Sequence, residues 1–386
     1  MADEQPLCLA LGMGAIGKAV SGYAMVKAGV HVTFADIAQA QINAVNQNGG
    51  YWLGTADIYA KQATKAFITG VDAVHVETPQ AQRAAMEAEY IISAVGPRGF
   101  RALLPRVIGW LQERNRNSDR PLYYMVFEND NEALHLLEAE VDRAFHGCPD
   151  WLHIAKCSIE RMTKVVELEG YGATAIGETF FPIIADEKAM RGCSIYHCAD
   201  VIEMVEDVQK YYYRKLLTNN LGHAVLGYAG QPRGYANTLE AMADPAVYAL
   251  LRQTLREAGE VLCAHWGFTR EHMEKHIETL MLRFGNPGLI DDLERLTRDP
   301  IRKISPEERI VLPIVLAYRY GIEPKGLLRT LACAISYCNR NVERGQELMD
   351  LRAQNGDAWI LQNICKADGR FLEEALQTIN IPFMEE

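Results

Sequence analysis

The sequence predicts an α/β chain, with an N-terminal doubly wound sheet followed by a mostly α-helical C-terminal domain. Three observations carry this: short apolar runs alternating with helix-length segments in the first half, a glycine-rich turn between the first such run and its helix, and long amphipathic stretches from about Asp200 onward. A chain of 386 residues exceeds the roughly 250 to 300 at which single cores stop growing, so two domains are expected, 1–195 and 196–386.

The first element is "LCLAL", a strand-length apolar run from Leu7 to Leu11 that Gly12 breaks. Ala15 to Ala28 has helix-forming composition, Gly29 stops it, and Val30 to Ala35 reads as a second strand ending at Asp36, completing a βαβ unit of about 30 residues. Inside it, Gly12, Gly14 and Gly17 make GxGxxG, with Met13, Ala15 and Ile16 between them. Such glycines permit a tight turn, close backbone approach to a pyrophosphate, and helix–strand packing. The helix N-terminus adds unpaired N–H groups for the phosphates. An acidic residue about 20 positions on completes the Rossmann-type pattern. Asp36 accepts from a ribose and repels a 2′-phosphate, while Ile37 and Ala38 offer no arginine, so NAD is expected over NADP.

"EYIISAVGP" (Glu89 to Pro97) and "LYYMVFENDN" (Leu122 to Asn131) are further strand candidates, and ligands in such sheets lie outside the C-terminal strand ends. Asn129 falls at one such end, where it can meet a ligand or equally cap the helix "EALHLLEAEVDRAF". The second half reads as helices in "VIEMVEDVQKYYYRKLLTNNLGHAVLGYAG", "PAVYALLRQTLREAGEVLCAHWGF", "EHMEKHIETLMLRFG" and "IVLPIVLAYRYG", each closing on or near glycine.

Composition narrows function. A net charge of −11 argues against a nucleic-acid partner, whose phosphates call for Lys and Arg. No apolar run reaches the roughly 18 residues of a membrane span. "MADEQP" lacks the character of an export signal, and nine cysteines without a CxxC pair read as reduced thiols, so a cytoplasmic location is expected. Cysteine and histidine spacings, including "HMEKH" from His272 to His276, lack a zinc pattern, and that helix face is expected to be exposed.

"KLLTNNLGH", Lys215 to His223, places a lysine, two asparagines and a histidine in one predicted helix. On an ideal helix Lys215 and His223 lie about 80° apart and Asn220 about 140° from the lysine, with Asn219 only about 40° away. All can face one cleft; a solvated lysine and a histidine satisfied in the core are the alternative.

These segments together resemble the polyol-specific long-chain dehydrogenases, a metal-independent family. The resemblance runs over almost the whole chain: "GMGAIGKA", "TFAD" at Asp36, "AVGP" with Val95, "EN" at Glu128–Asn129, "KLLTNNLGHAVLGYAG", and "RFGNPGLIDDLERLTRDPIRKISPEERI" from Arg283 to Ile310. The last two blocks are especially similar to bacterial mannitol-1-phosphate 5-dehydrogenases. The resemblance implies NAD bound at Gly12–Gly17, Asp36 and Val95. It implies Lys215 as general acid/base, Asn220 and Asn129 as donors to the substrate oxygen, and His223 as a further donor that orients the substrate. It implies hydride exchange between D-mannitol 1-phosphate and D-fructose 6-phosphate, with no metal. Arg295, Arg302, Lys303 and Arg309 are the cations available for a phosphate, Lys303 foremost; a solvated loop with acidic neighbours is the alternative.

Three positions depart from the family pattern: Tyr213 in place of glutamate, Leu312 in place of lysine, and Ala15 in place of a polar residue. The first two keep open another polyol, polyol phosphate or sugar acid as substrate. An NAD-binding redox sensor without turnover is the alternative of a different class, and it predicts a broken catalytic set.

Overall fold

The computed structural model describes residues 5–381 and 383, apart from 60–61, 129–131, 169–171, 180–181 and 337–338; Asn129 lies outside the described residues. The strands are β1 (Leu7–Leu11), β2 (His31–Asp36), β3 (Tyr51–Asp57), β4 (Gln62–Ile68), β5 (Val71–His75), β6 (Tyr90–Ser93), β7 (Leu122–Val126), β8 (Leu152–Ser158), β9 (Thr163–Leu168), β10 (Gly172–Glu178), β11 (Ile183–Asp186) and β12 (Ile202–Val205). Among the described residues, β5-β2-β1-β6-β7-β8 run parallel, β11 joins β8 antiparallel, and β12 closes the edge alongside β11.

The parallel part has the order of a dinucleotide-binding sheet, with connections diverging on either side of β1. Alternation explains how both faces are covered. Cys8 and Ala10 of β1 enter one core with Phe34, Tyr90 and Met125, while Leu9 and Leu11 enter the other with Ile91, Tyr124 and Leu137. A parallel sheet flanked by helices on both faces buries every strand position in this way. The β1 turn is thus anchored from above and below.

A second sheet, β4-β3-β10-β9, is built from strands rich in small and polar residues. Arg161, 4% exposed, reaches it by donating from Nε to Glu178 O at 2.8 Å.

Two helices depart from the ideal form. In the helix after the glycine turn, Gly17–Gly22 is π-helical before Tyr23–Lys27 resumes α geometry. In the lysine segment, Val208–Lys215 is α, Leu216–Asn220 is π and Leu221–Gly230 is α again. The wider turn means that angles reckoned on an ideal α-helix do not carry from Lys215 through to His223. A further difference lies upstream: the predicted helical stretch beginning at Val201 opens with β12, because Ile202 and Val205 pack into the sheet edge beside β11.

The chain divides into two compact units, Met1–Tyr211 and Tyr212–Glu386. The first extends beyond residue 195 because β12 belongs to its sheet. The second is helical. Pro245–Trp266 is capped by Asp244, whose carboxylate accepts from Ala246 N and Val247 N, and Arg270–Phe284 by Thr269. Each such cap satisfies backbone N–H groups that a helix start leaves unpaired, typically stabilising by about 1 kcal/mol. Pro245–Trp266 and Val311–Tyr320 end on Gly267 and Gly321, both left-handed with φ near 69°. No helix among the described residues is long and apolar enough to cross a membrane.

Candidate active site

In the first unit the glycine turn is shaped by contact. A Cβ on Gly12, whose φ is +97°, would stand 2.7 Å from Ala94 O, and one on Gly17 would stand 2.2 Å from Gly12 O. Both positions are therefore closed to any side chain. Gly14 differs, since a Cβ there would meet nothing within 4 Å. Asp36 closes the turn from the end of β2. Its Oδ2 accepts from Met13 N at 2.6 Å, and its Oδ1 accepts from Ile37 N at 2.7 Å and Ala38 N at 2.9 Å. Val95 N donates to Glu128 Oε1 at 2.9 Å, tying together the ends of β6 and β7. Ala15 and Ile16 form the first turn of the helix. Behind them Lys18 is buried, its Nζ donating to Ala173 O and Gln41 Oε1, and burial pushes its pKa down against the opposing pull of Asp36 and Glu167.

In the second unit Lys215 is half-buried at the junction of the α and π segments. Within the π segment the Thr218 hydroxyl donates to Arg214 O at 2.6 Å and lies 3.0 Å from His276 Nε2. His272 Nε2 lies 2.7 Å from Arg214 Nη1. The face of "HMEKH" is exposed at His272 as expected and half-buried at His276, and both rings contact the lysine helix. Asn220 is half-buried, whereas Asn219 is 6% exposed and its Oδ1 has no hydrogen-bond partner among the described residues. A buried amide oxygen left unpaired costs about 1–3 kcal/mol, a cost that a donor arriving from a ligand would remove.

His223, one α-helical turn beyond the π segment, packs edge-on against Phe284 with ring centroids 5.0 Å apart. Its Nε2 is 3.5 Å from Asp291 Oδ2. Burial is the main cause that pushes its pKa down to about 4; Asp291 pulls the other way, and Arg295, Arg283 and Arg309 add to the fall. The ring is neutral at pH 7.

The arginines among the predicted phosphate cations are held by carboxylates. Arg295 Nη2 lies 2.6 Å from Asp291 Oδ1. Arg302 bonds Asp299 through Nε at 2.9 Å and also pairs with Glu308, which accepts from Arg309 Nε at 3.1 Å. Lys303 is 6% exposed and turned inward, its Nζ donating to Leu296 O at 2.6 Å. Burial first, then Arg309 and Arg302, push its pKa down to about 7. Its placement is that of a packed amine rather than an open cation. Tyr213, one of the departures from the family pattern, stacks on Trp266 at 4.6 Å.

Sequence reasoning missed Asp291, although it stands within a quoted block. Its spacing of four before Arg295 is the signal that was available.

The Mannitol dehydrogenase Rossmann domain family matches residues 7–195, and the Mannitol dehydrogenase C-terminal domain family matches residues 207–369. Among solved structures, a D-sorbitol dehydrogenase in substrate-free form is similar with a TM-score of 0.76 at 16% identity, over 97% of this chain and 92% of that one. Mannitol 2-dehydrogenase of Pseudomonas fluorescens, in a ternary complex with NAD and D-mannitol, gives 0.73 at 16% identity, over 98% of this chain and 90% of that one. At such identities the likeness is one of fold.

Proposed function

Because the chain belongs to the mannitol dehydrogenase family, we propose that it is an NAD-dependent, metal-independent enzyme interconverting D-mannitol 1-phosphate and D-fructose 6-phosphate. The glycine turn fits a dinucleotide: Gly12 and Gly17 admit no Cβ, and Gly14 leaves its backbone open to a pyrophosphate. Met13, Ala15 and Ile16 complete that turn, Asp36 receives the ribose hydroxyls, and Val95 borders the nicotinamide end. NAD, when bound, takes up or returns the hydride of the carbinol carbon.

The remaining chemistry is that of this chain's side chains. In oxidation Lys215 removes the hydroxyl proton, and in reduction its ammonium returns a proton to the ketose oxygen. Asn220 and Asn129 donate to that oxygen as negative charge develops on it. His223 orients the substrate.

What supports the phosphate is the gathering of guanidinium groups about two carboxylates: Arg295 lies 2.6 Å from Asp291, and Arg302 and Arg309 both pair with Glu308. A neutral polyol has no use for such a concentration of guanidinium groups, whereas a phosphate monoester does. We assign the phosphate to Arg295 with Arg302, with Lys303, bonded to Leu296 O, acting only through its charge from behind them. The pairing of Arg295 with Asp291 and of Arg302 with Glu308 favours a second reading, an unphosphorylated polyol as substrate.

The test is NADH oxidation with fructose 6-phosphate, fructose, other ketose phosphates and keto-sugar acids. The phosphate reading expects kcat/KM for fructose 6-phosphate to exceed that for fructose by about 100-fold or more, the scale of two lost charge-assisted hydrogen bonds. Preference for fructose selects the second reading, and NADH binding without oxidation of any ketose selects the sensor. Lys215→Ala should keep NADH binding and lose turnover by about a thousandfold or more; turnover within tenfold of the parent enzyme would remove Lys215 from its role.

A further inference from the structure

Three side chains of the second unit form a chain of contacts with Asp291 at its middle. One carboxylate oxygen lies 2.6 Å from Arg295 Nη2 and the other 3.5 Å from His223 Nε2. The side chains of Asp291 and His223 are 12% and 15% exposed, that of Arg295 49%. The backbone of Asp291 is clamped on both sides. Its carbonyl accepts from Thr238 N at 3.0 Å and its N–H donates to Thr238 Oγ1 at 3.3 Å, while the next residue, Asp292, bridges to Asn237.

We propose that Asp291 is a positioning residue that fixes the orientation and tautomer of His223 and links that ring to Arg295, the cation offered to the anionic end of the substrate. This rests on the reading of the site given under Proposed function.

A neutral imidazole carries one N–H and one lone pair. At 3.5 Å the contact is longer than a hydrogen bond, but the negative charge of the carboxylate favours the proton on the facing nitrogen, Nε2, and leaves the lone pair on Nδ1. His223 therefore accepts a hydrogen bond from a substrate hydroxyl instead of donating one. Its burial keeps the ring neutral near pH 7, where the tautomer matters. An anion meeting the exposed half of Arg295 draws guanidinium charge away from Asp291, leaving more of the carboxylate's charge to act on the ring. Occupancy of one end of the substrate is thereby transmitted to the group that holds the other.

The experiment uses the full chain, 15N-labelled at histidine, with Asp291→Asn and Arg295→Gln variants and His223→Asn for assignment. The parent protein at pH 7 should show Nε2 protonated and Nδ1 unprotonated, and D291N should lose that pattern. For fructose 6-phosphate, D291N should lower kcat about tenfold with KM changed by less than about threefold, whereas R295Q should raise KM about tenfold or more. The double variant should depart from the product of the two single effects. Proton placement on Nδ1 in the parent, a D291N spectrum identical to the parent's, or a strictly multiplicative double variant overturns the proposal. Where D291N does not fold, the parent spectrum together with a shift of the ring signals in R295Q decides. An inactive parent enzyme whose spectrum still shows the Nε2 proton, lost in D291N, would sink the reading of the reaction and spare the role of Asp291.

Discussion

The π-helical segments Gly17–Gly22 and Leu216–Asn220 interrupt otherwise α-helical chain at the two places where function is read, yet their carbonyls are met by different partners. In the first, carbonyls of the segment are taken by groups from elsewhere: the Tyr51 hydroxyl, on β3, donates to Lys18 O at 2.6 Å, and Arg161 donates to Ala19 O. In the second, the donor comes from the segment itself, since Thr218 bonds the carbonyl of Arg214 four residues back. A distortion imported by tertiary contacts depends on the assembled domain. The second segment is touched from outside at one point, since His276 Nε2 lies 3.0 Å from the Thr218 hydroxyl.

The strongest break in the comparison is Gly17→Ala. The new methyl would sit 2.2 Å from Gly12 O, backbone against backbone, with no flexible side chain to yield. The variant should lose about 3 kcal/mol or more of stability, measured by denaturant unfolding, and NADH affinity should fall with it. Parent-like stability would show that the turn relaxes and that the imported constraint is weak.

Next is pH, which tests how tightly the region beyond the second segment is closed. The unfolded His223 ring takes up a proton below about 6.5, but the folded ring resists until about 4. The unfolded state thus binds more protons across that window, so this stability is present above pH 6.5 and is lost as pH falls towards 4. Between pH 7 and pH 4 the parent should lose about 3 kcal/mol more than His223→Leu does. Equal losses would mean that water reaches the ring.

The smallest and most discriminating pair removes one hydroxyl from each segment. Thr218→Val and Tyr51→Phe should each cost about 1 kcal/mol. Thr218→Val should lower kcat several-fold and leave the NADH dissociation constant within about twofold, while Tyr51→Phe should do the reverse. If both variants moved the same parameter, the two distortions would not be separable.

The same contrast explains what the sequence made legible. The βαβ unit around GxGxxG could be read because glycine, apolar runs and Asp36 act over short distances; the second strand is displaced by only one residue, to His31–Asp36. The π form of Gly17–Gly22 could not, because Tyr51 and Arg161 are brought to it only by folding. β12 was hidden for another reason: "IEMV" is too short to distinguish a strand from a helix start, and only its pairing with β11 decides. At the site, the Lys215–His223 spacing was visible. The inward turn of Lys303 was not, because its partner is the backbone carbonyl of Leu296, which no residue type announces. Asp291 was hidden among other acids in a charged loop, and only the fold singles it out by bringing His223 to it.

Gly14 leads further. Gly12 and Gly17 are glycines because the protein's own atoms crowd them, but at Gly14 the fold would accept a methyl group without contact. Its bareness answers no internal demand. On the proposed reading, a dinucleotide would supply the reason, by bringing its pyrophosphate close to the Gly14 backbone. That bareness also separates two kinds of position in one turn: alanine at either neighbouring glycine would meet the protein's own backbone, whereas alanine at Gly14 would meet nothing within 4 Å.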